Sequence, residues 1–177
     1  MAQEETTLYE GDKFNIVLKT VEGRSGAHMA RPVIRHPGAV VIIPETDDGG
    51  LVLIRNFRFA VDEWLIEVPA GTMNSGEDPE GAAHRELEEE TGYCATELQL
   101  LASYYAAPAF CDEVMHVYGA RGLSPGEFKP EDDERIEVIV ASPSTIETWL
   151  KEGKIKDSKT ILAIHYWREW MKQRTPI

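Results

Sequence analysis

Apolar residues fall in short runs along most of the chain, and this pattern predicts many β-strands and few helices. The runs 39–44 and 51–55 are continuously apolar, which is typical of buried strands. The run 136–140 alternates between apolar and polar residues, as a half-buried strand does. The predicted strands are 14–18, 31–34, 39–44, 51–55, 64–69, 98–106, 114–120 and 136–140. A turn at 47–50 predicts that strands 39–44 and 51–55 form a hairpin.

Three longer segments predict helices at 79–91, 144–152 and 158–172. The first has the clearest ends, because Asp78 can cap it, Pro79 suits its first turn and Gly92 can end it. Many strands mixed with few helices predict an α/β fold in which a mixed sheet packs between helices.

Residues 1–35 predict a separate small antiparallel β-subdomain, with a hairpin turn at 23–26. A piece this short cannot bury a core of its own. We therefore expect two parts, an N-terminal β-subdomain at 1–35 and a main domain at 36–177.

The charge of the chain restricts its partners. It has 177 residues and a net charge of −13, which disfavours nucleic acid and anionic membranes as partners. An anionic substrate would need a cation or a few well-placed arginines to approach this protein. The chain has no apolar run near the ~18 residues of a membrane span, and its first ten residues are polar and acidic. These features favour a cytoplasmic protein.

The first predicted helix carries the candidate chemistry. Glu86, Glu89 and Glu90 lie at spacings of three and four residues, on one helix face. Like charges at this spacing repel each other, and a divalent cation would offset the repulsion. Oxygen ligands favour a hard ion such as Mg²⁺.

Residues before and within this helix can complete such a site. The backbone carbonyl of Ala70, at the end of a strand, can add an oxygen ligand. Arg85 stands four residues before Glu89 and can pair with it. Glu77, just before the helix, can support the preceding loop.

The spacing of these residues resembles a known family. The chain matches the whole Nudix box. The match consists of Gly71, a gap of five residues, Glu77, a gap of seven residues, and the run 85–93 (Arg-Glu-Leu-Glu-Glu-Glu-Thr-Gly-Tyr). A Glu-rich helix alone is usually a solvated acidic face, but here Gly71, Glu77, Arg85 and Gly92 are all in register. The resemblance implies a Nudix hydrolase with an α/β/α sandwich fold.

The resemblance also implies roles for the residues of the box. The carbonyl of Ala70 and the carboxylates of Glu86, Glu89 and Glu90 would bind Mg²⁺, with Mn²⁺ as a possible substitute. Glu89 and Arg85 are the residues of the box that we expect to act in catalysis. Glu88 occupies a variable position, and we expect it to face solvent.

Segments outside the box resemble the ADP-ribose pyrophosphatase branch over most of the chain. The similar segments are 35–40, 56–58, 64–71, Pro108 beyond the box, and 153–160. This implies hydrolysis of a nucleoside diphosphate sugar, ADP-ribose first, to a nucleoside monophosphate and a sugar phosphate. Another sugar nucleotide such as GDP-mannose is the alternative, followed by a module that senses ADP-ribose without cleaving it. The branch also implies a homodimer in which the N-terminal β-subdomain exchanges and helps form the partner's nucleotide site.

Several residues are candidates for binding this substrate. Arg58 is predicted to lie near the strand 64–69 that leads into the box, where its guanidinium can bind a diphosphate through two parallel hydrogen bonds. Arg35 and Arg31 are candidates for the nucleotide end, while Thr72 and Pro108 complete the predicted substrate contacts.

The acidic segment 131–134 is the last candidate. Four adjacent acids are usually solvated surface. By resemblance, Glu134 matches a loop carboxylate that swings in as a metal ligand or general base. Because the register is loose, Asp132 or Glu131 can hold this role instead.

Overall fold

The computed structural model describes residues 5–132 and 134–174. Residues 1–4 of the predicted β-subdomain, Asp133 of the acidic segment and residues 175–177 of the predicted main domain lie outside this description. The elements in chain order are β1 (Glu5–Glu10), β2 (Asn15–Glu22), β3 (His28–Arg35), β4 (Ala39–Pro44), β5 (Leu51–Arg58), β6 (Glu63–Glu67), β7 (Ala70–Thr72), α1 (Pro79–Thr91), β8 (Tyr93–Tyr105), β9 (Val114–Pro125), β10 (Ile136–Ala141), α2 (Pro143–Lys151) and α3 (Ser158–Arg174).

A mixed four-stranded sheet lies at the centre, in the order β7-β4-β9-β8, and its β4 and β9 strands are parallel. All six residues of β4 are buried, as its continuous apolar run predicts. Val40 and Ile42 pack on one face with Leu87 of α1. Val41 and Ile43 belong to the core on the other face, which includes Ile164 of α3. This central sheet therefore has a helix on each side.

A second sheet, in the order β10-β5-β6, is antiparallel and packs into the same core as α2 and α3. Together the two sheets and the helices on either side confirm the predicted fold class, an α/β sandwich with a mixed sheet between helices.

The predicted hairpin between β4 and β5 is wrong. The turn itself forms, with Thr46 N–H donating to the Gly50 carbonyl at 2.9 Å. Beyond it, however, the two strands join different sheets, and a single isolated bridge between Glu45 and Leu51 connects their ends in the described chain. A turn fixes only the local chain reversal, whereas both strands are buried on both faces and find their partners elsewhere.

The N-terminal segment forms an antiparallel sheet of its own, in the order β1-β2-β3. Its turn lies where the sequence predicts, with Gly26 at a φ of 77°. β3 meets the main body through Ile34, whose N–H donates to the Phe110 carbonyl at 2.8 Å. The large apolar residues Leu8, Tyr9, Phe14 and Met29 are exposed on this sheet.

Helix α1 begins and ends where its sequence signals predict. The Asp78 side chain accepts hydrogen bonds from the N–H groups of Glu80 and Gly81, at 3.1 and 3.0 Å. Gly92 ends the helix at a φ of 70°, and its N–H donates to the Glu88 carbonyl at 2.8 Å. These two caps place the carboxylates of α1 in a fixed register against β7.

Among the helices of the described chain, none has the length and apolar character needed to cross a membrane.

Candidate active site

Four parts of the chain enclose a cavity of about 420 Å³ beside α1. They are β7 with its following loop, α1, the loop 126–135 (the acidic loop), and the turn between β1 and β2, and Pro37 between β3 and β4 adds to the wall of this cavity, which we call the main cavity. The lining residues are Asp12, Lys13, Pro37, Gly71, Thr72, Met73, Asn74, Ser75, Arg85, Glu86, Glu131 and Glu134. The structure thus brings Thr72, Arg85, Glu86 and Glu134, all predicted from the sequence, to one place.

Arg85 connects α1 with the loop before it. Its guanidinium donates to both carboxylate oxygens of Glu77, each at 2.9 Å, and to the Thr72 carbonyl at 3.3 Å. Glu77 also accepts the Asn74 N–H at 2.8 Å, so it supports the loop as predicted. The Arg85 guanidinium lowers the pKa of the Glu77 carboxyl.

Arg85 also contacts two of the proposed ligand carboxylates. Its Nη1 donates to Glu86 Oε1 at 2.6 Å and to Glu89 Oε2 at 3.1 Å. The predicted pair with Glu89 is therefore present, and Glu86 shares the same donor. One guanidinium thus orients Glu77, Glu86 and Glu89.

Glu86 and Glu90 are buried acids, with 9% and 1% of their surface exposed. Burial raises the pKa of Glu86 to about 7, and burial raises that of Glu90 well above its ordinary value. Glu90 Oε2 accepts the Ala70 N–H at 2.8 Å, while Glu90 Oε1 has no hydrogen-bond partner in the described chain. Buried carboxylates of this kind are costly unless a cation neutralises them.

Gly71 provides the space that Glu86 occupies. A Cβ atom added at Gly71 would lie 2.0 Å from the Glu86 Cδ atom and 2.1 Å from its Oε1. The glycine at the start of the box is therefore required by close packing against a carboxylate.

These residues fit a divalent cation. They offer hard oxygen donors, a buried Glu90 oxygen without a partner, and a carboxylate that fills the cradle above Gly71. Across residues 5–132 and 134–174, no three His, Cys, Asp or Glu side chains already stand in a metal-holding arrangement. Glu86 and Glu89 accept hydrogen bonds from Arg85 instead.

The acidic loop forms the opposite wall of the cavity. Glu134 is half-buried, and its Oε2 accepts the Glu131 N–H at 3.0 Å, while its own N–H donates to the Glu131 carbonyl at 3.0 Å. Burial raises the pKa of the Glu134 carboxyl. The structure therefore places both Glu131 and Glu134 in the cavity, whereas Asp132 is exposed and is not part of its lining.

Glu88 does not simply face solvent, so that prediction is wrong. It is half-buried, and its Oε1 accepts the Glu127 N–H at 3.0 Å. Next to it, the Glu89 carbonyl accepts the Lys129 N–H at 2.9 Å. The last turn of α1 thus holds the first half of the acidic loop, which explains why an acid suits position 88.

Lys13 is a cavity residue that the sequence did not reveal. Its Nζ atom lies 2.8 Å from Glu131 Oε2, although the two residues are far apart in the chain. The turn that carries Lys13 approaches the cavity of its own chain. No motif marks this lysine, because its position depends on how the N-terminal sheet packs.

Arg58 lies near the cavity, but its guanidinium already makes a bidentate contact with a carboxylate. Its Nε and Nη2 donate to the two oxygens of Glu67, at 2.9 and 2.7 Å. A bidentate fork onto a diphosphate, as predicted, would compete with the buried Glu67. Arg58 still lines a smaller cavity beside Ala70, Gly71 and Thr72.

The remaining predicted substrate residues lie farther out. Arg35 pairs with Asp112 at 2.8 Å and with Glu5, and it lines a neighbouring cavity that shares Lys13 with the main one. Arg31 is exposed on β3, 3.5 Å from the sulfur of Met29. Pro108 is exposed in the turn between β8 and β9. Neither Arg31 nor Pro108 contributes to the lining of the main cavity.

Comparison with known proteins identifies the class to which this fold and site belong. The NUDIX domain family model matches residues 35–163. The chain therefore belongs to the Nudix family, which confirms the resemblance of its box, and its relatives support its assignment as an enzyme of that family.

Individual relatives are more specific. The chain is 36% identical over 161 residues to an ADP-ribose pyrophosphatase of Bacillus subtilis (strain 168), covering 90% of this chain and 87% of that protein. It has the same identity and coverage with a methanol dehydrogenase activator of Bacillus methanolicus. A GDP-mannose pyrophosphatase of Yersinia pestis (strain Pestoides F) is 30% identical over 163 residues, covering 87% of this chain and 82% of that protein.

A solved structure agrees with the fold. The crystal structure of an ADP compounds hydrolase superposes with a TM-score of 0.82 and 23% sequence identity, covering 100% of this chain and 99% of that one. At this identity the match supports the fold alone.

Proposed function

We propose that this protein is a Mg²⁺-dependent hydrolase of nucleoside diphosphate sugars, with ADP-ribose as the first candidate and AMP and ribose 5-phosphate as products. The observation that carries this proposal is the buried Glu86 carboxylate, which lines the cavity together with Arg85 and Lys13, with the buried Glu90 carboxylate one turn further along α1. The pyrophosphatase relatives support the substrate class.

The metal ligands in this proposal are the Ala70 carbonyl and the carboxylates of Glu86, Glu89 and Glu90. When bound, the divalent ion supplies charge neutralisation of the diphosphate and lowers the pKa of a water molecule. The contribution of the chain is orientation. Arg85 holds the Glu86 and Glu89 carboxylates, and the Ala70 N–H holds Glu90.

Glu134 is our first candidate for the base that removes a proton from the attacking water. Its raised pKa suits that role, because a base with a pKa nearer to neutrality transfers protons efficiently. It lies on a loop, which allows it to move toward the water or to join the ligands when substrate binds. Glu131, in the same cavity, is the alternative.

Arg58 and Thr72, beside Ala70, are positioned to contact the diphosphate, and Arg35 lies toward a neighbouring cavity that suits the nucleotide end. Arg31 and Pro108 can contact substrate only if the chain assembles with a partner or changes shape. GDP-mannose is the second candidate substrate, since one relative carries that name. A sensing module is the third, and the intact box disfavours it.

We further propose a cytoplasmic homodimer of two-part chains, with residues 1–35 as the dimerisation subdomain and 36–177 as the hydrolase domain. The exposed apolar residues of the N-terminal sheet support a covering partner. In the single chain, Asp12 and Lys13 line the cavity of their own protomer.

The test of this function is direct. The purified protein is incubated with ADP-ribose or GDP-mannose, with Mg²⁺, with Mn²⁺ or with EDTA, and nucleoside monophosphate is measured. We expect AMP from ADP-ribose with Mg²⁺ and none with EDTA. Faster release of GMP from GDP-mannose would replace the first substrate with the second, and no release from either would refute the enzyme proposal.

A further inference from the structure

A buried carboxylate joins two cations next to the main cavity. Glu67 on β6 is completely buried, with an exposed fraction of 0%. Arg58 donates two hydrogen bonds to it, and the Nζ atom of Lys159 on α3 donates another. The Arg58 guanidinium and the Lys159 ammonium lower the pKa of Glu67, so this acid is charged and shared by two cations.

Lys159 is fixed from a second side. Its Nζ atom lies 3.1 Å from Asp157 Oδ1, while Asp157 Oδ2 accepts the N–H and the hydroxyl of Thr160 at 2.9 and 2.6 Å. The Thr160 hydroxyl oxygen in turn accepts the Val68 N–H at 3.0 Å. This chain of contacts ties the first turn of α3 to the segment that leads into Ala70.

The two cations face open space, and the carboxylates that hold them do not. Arg58 and Lys159 both line a cavity of about 200 Å³ whose other walls include Ala70, Gly71 and Thr72. Glu67 and Asp157 do not line this cavity. Its acidic lining residue is Glu113. A cavity this small suits part of a substrate, such as a phosphate, because sites for whole small molecules are typically about 300–1,000 Å³.

We propose that Lys159 is a substrate-binding residue that forms, with Arg58, a two-cation wall for a phosphate of the substrate, and that Glu67 holds both cations from behind. This inference rests on the proposed function, because it assumes a diphosphate substrate at Ala70–Thr72. Glu67 and Asp157 together balance the charge of the two cations, but both carboxylates lie outside the cavity lining, so the cationic side of the cluster faces the cavity and attracts an anion at short range. A prepositioned wall also lowers the entropy cost of binding.

Substituting Lys159→Met tests this role. We expect the KM for ADP-ribose to rise about tenfold, because one cation facing the phosphate is lost at short range. Titration calorimetry of ADP-ribose in EDTA, where no turnover occurs, should show a similar rise in Kd. The salt dependence of Kd should also weaken.

The matched control is Lys156→Met. Lys156 pairs with Glu63 of the same strand that carries Glu67, but it is exposed and does not line the cavity. The substitution is chemically identical, so KM and Kd should stay within about twofold of the wild type, in line with the small contribution of exposed ion pairs. A similar rise in both variants would overturn the inference.

A second variant addresses folding. Lys159→Met leaves Asp157 without a cation, so we also propose the double variant Asp157→Asn/Lys159→Met, which removes that unpaired charge. Its KM and Kd should remain raised, and a return of both to wild-type values would overturn the inference. If the wild type cleaves ADP-ribose, and KM and Kd are unchanged in both the single and the double Lys159 variant, the role of Lys159 is refuted while the proposed function stands. If the wild type neither binds nor cleaves ADP-ribose, the proposed function fails and the inference falls with it.

Discussion

Two pairs of acids at the candidate active site, one pair on α1 and one on the acidic loop, are held in different ways. Glu86 and Glu90 stand on a capped helix, are buried, and receive hydrogen bonds from Arg85 and from the backbone of Ala70. Glu131 and Glu134 stand on the acidic loop, where the Glu134 carboxylate accepts the Glu131 N–H and the Glu131 carboxylate pairs with Lys13. One wall is therefore held by the core, and the other by contacts of a loop.

This difference separates two tasks. A rigid wall suits metal ligands, because their geometry must be set before the ion arrives. A loop wall suits a base that reaches its water only when substrate is bound. The comparison teaches that substitutions in the first wall should remove metal binding, whereas substitutions in the second should slow the chemical step.

The largest effect is expected for Glu90→Gln, in the rigid wall. Loss of this ligand should lower kcat/KM by more than about 100-fold, since even residues that only support ligands cost 10–100-fold. The melting temperature in EDTA should not fall, because the amide carries no charge to bury. Activity is measured with ADP-ribose, and stability by thermal unfolding.

The wild type and the Glu90→Gln variant also test metal binding. Mg²⁺ should raise the melting temperature of the wild type by mass action but have a weaker effect on Glu90→Gln. Glu80→Gln, an exposed acid in the first turn of α1, is the control and should behave as the wild type. An equal Mg²⁺ shift in Glu90→Gln would refute its role as a ligand.

Gly71→Ala tests the rigid wall with a single methyl group. The new Cβ atom would meet the end of the Glu86 side chain, a flexible group that can turn away. We therefore expect at least a tenfold loss of kcat/KM, comparable to the loss of ligand support. The melting temperature should change by about 2 °C or less, which corresponds to at most about 0.5–1 kcal/mol. A folded variant with full activity would show that Glu86 does not need its observed position.

Glu134→Gln and Glu131→Gln compare the two acids of the loop wall. Removal of a general base lowers kcat by about 10²-fold, with little change in KM. We expect this loss for Glu134→Gln and less than about a threefold loss for Glu131→Gln, whose exposed carboxylate makes the weaker kind of contact. Stopped assays at several substrate concentrations separate kcat from KM. If Glu131→Gln shows the larger loss, the roles are exchanged.

The smallest effect is expected for Lys13→Gln. Its ion pair with Glu131 is exposed on both sides, and such pairs contribute about 0–1 kcal/mol. We expect kcat/KM within about threefold of the wild type at low salt, and the difference should shrink as salt is added. A loss greater than tenfold at any salt concentration would show that the N-terminal sheet has a catalytic role.

The rigid wall could be predicted from the sequence because its determinants are local. Asp78, Gly92 and the spacing of Glu86 and Glu90 act within one helix, so their relative positions follow from helical geometry alone. Burial of β4 could be predicted for the same reason, since a continuous apolar run is a local property.

Other features depend on contacts between distant segments and could not be predicted. Three such contacts arise from how the sheets pack. They are the pairing of β4 with β9, the salt bridge between Lys13 and Glu131, and the salt bridge between Arg58 and Glu67. A similar reason explains Glu88, whose partner Glu127 lies 39 positions away. In each case the residue type was visible in the sequence but its partner was not.

The two anchors of the acidic loop limit its length. Lys129 is bound to the end of α1 through the Glu89 carbonyl, and the carbonyl of Arg135 accepts the Phe57 N–H of β5. The span between these anchors is residues 130–134, and Glu134 is its last member. One inserted or deleted residue would change the reach of this span by up to about 3.5 Å, more than the length of a hydrogen bond. For Glu134 as the proposed base, the distance from its carboxylate to the water would therefore depend partly on the number of residues in this span, and we expect insertions here to change activity while both anchors and the fold persist.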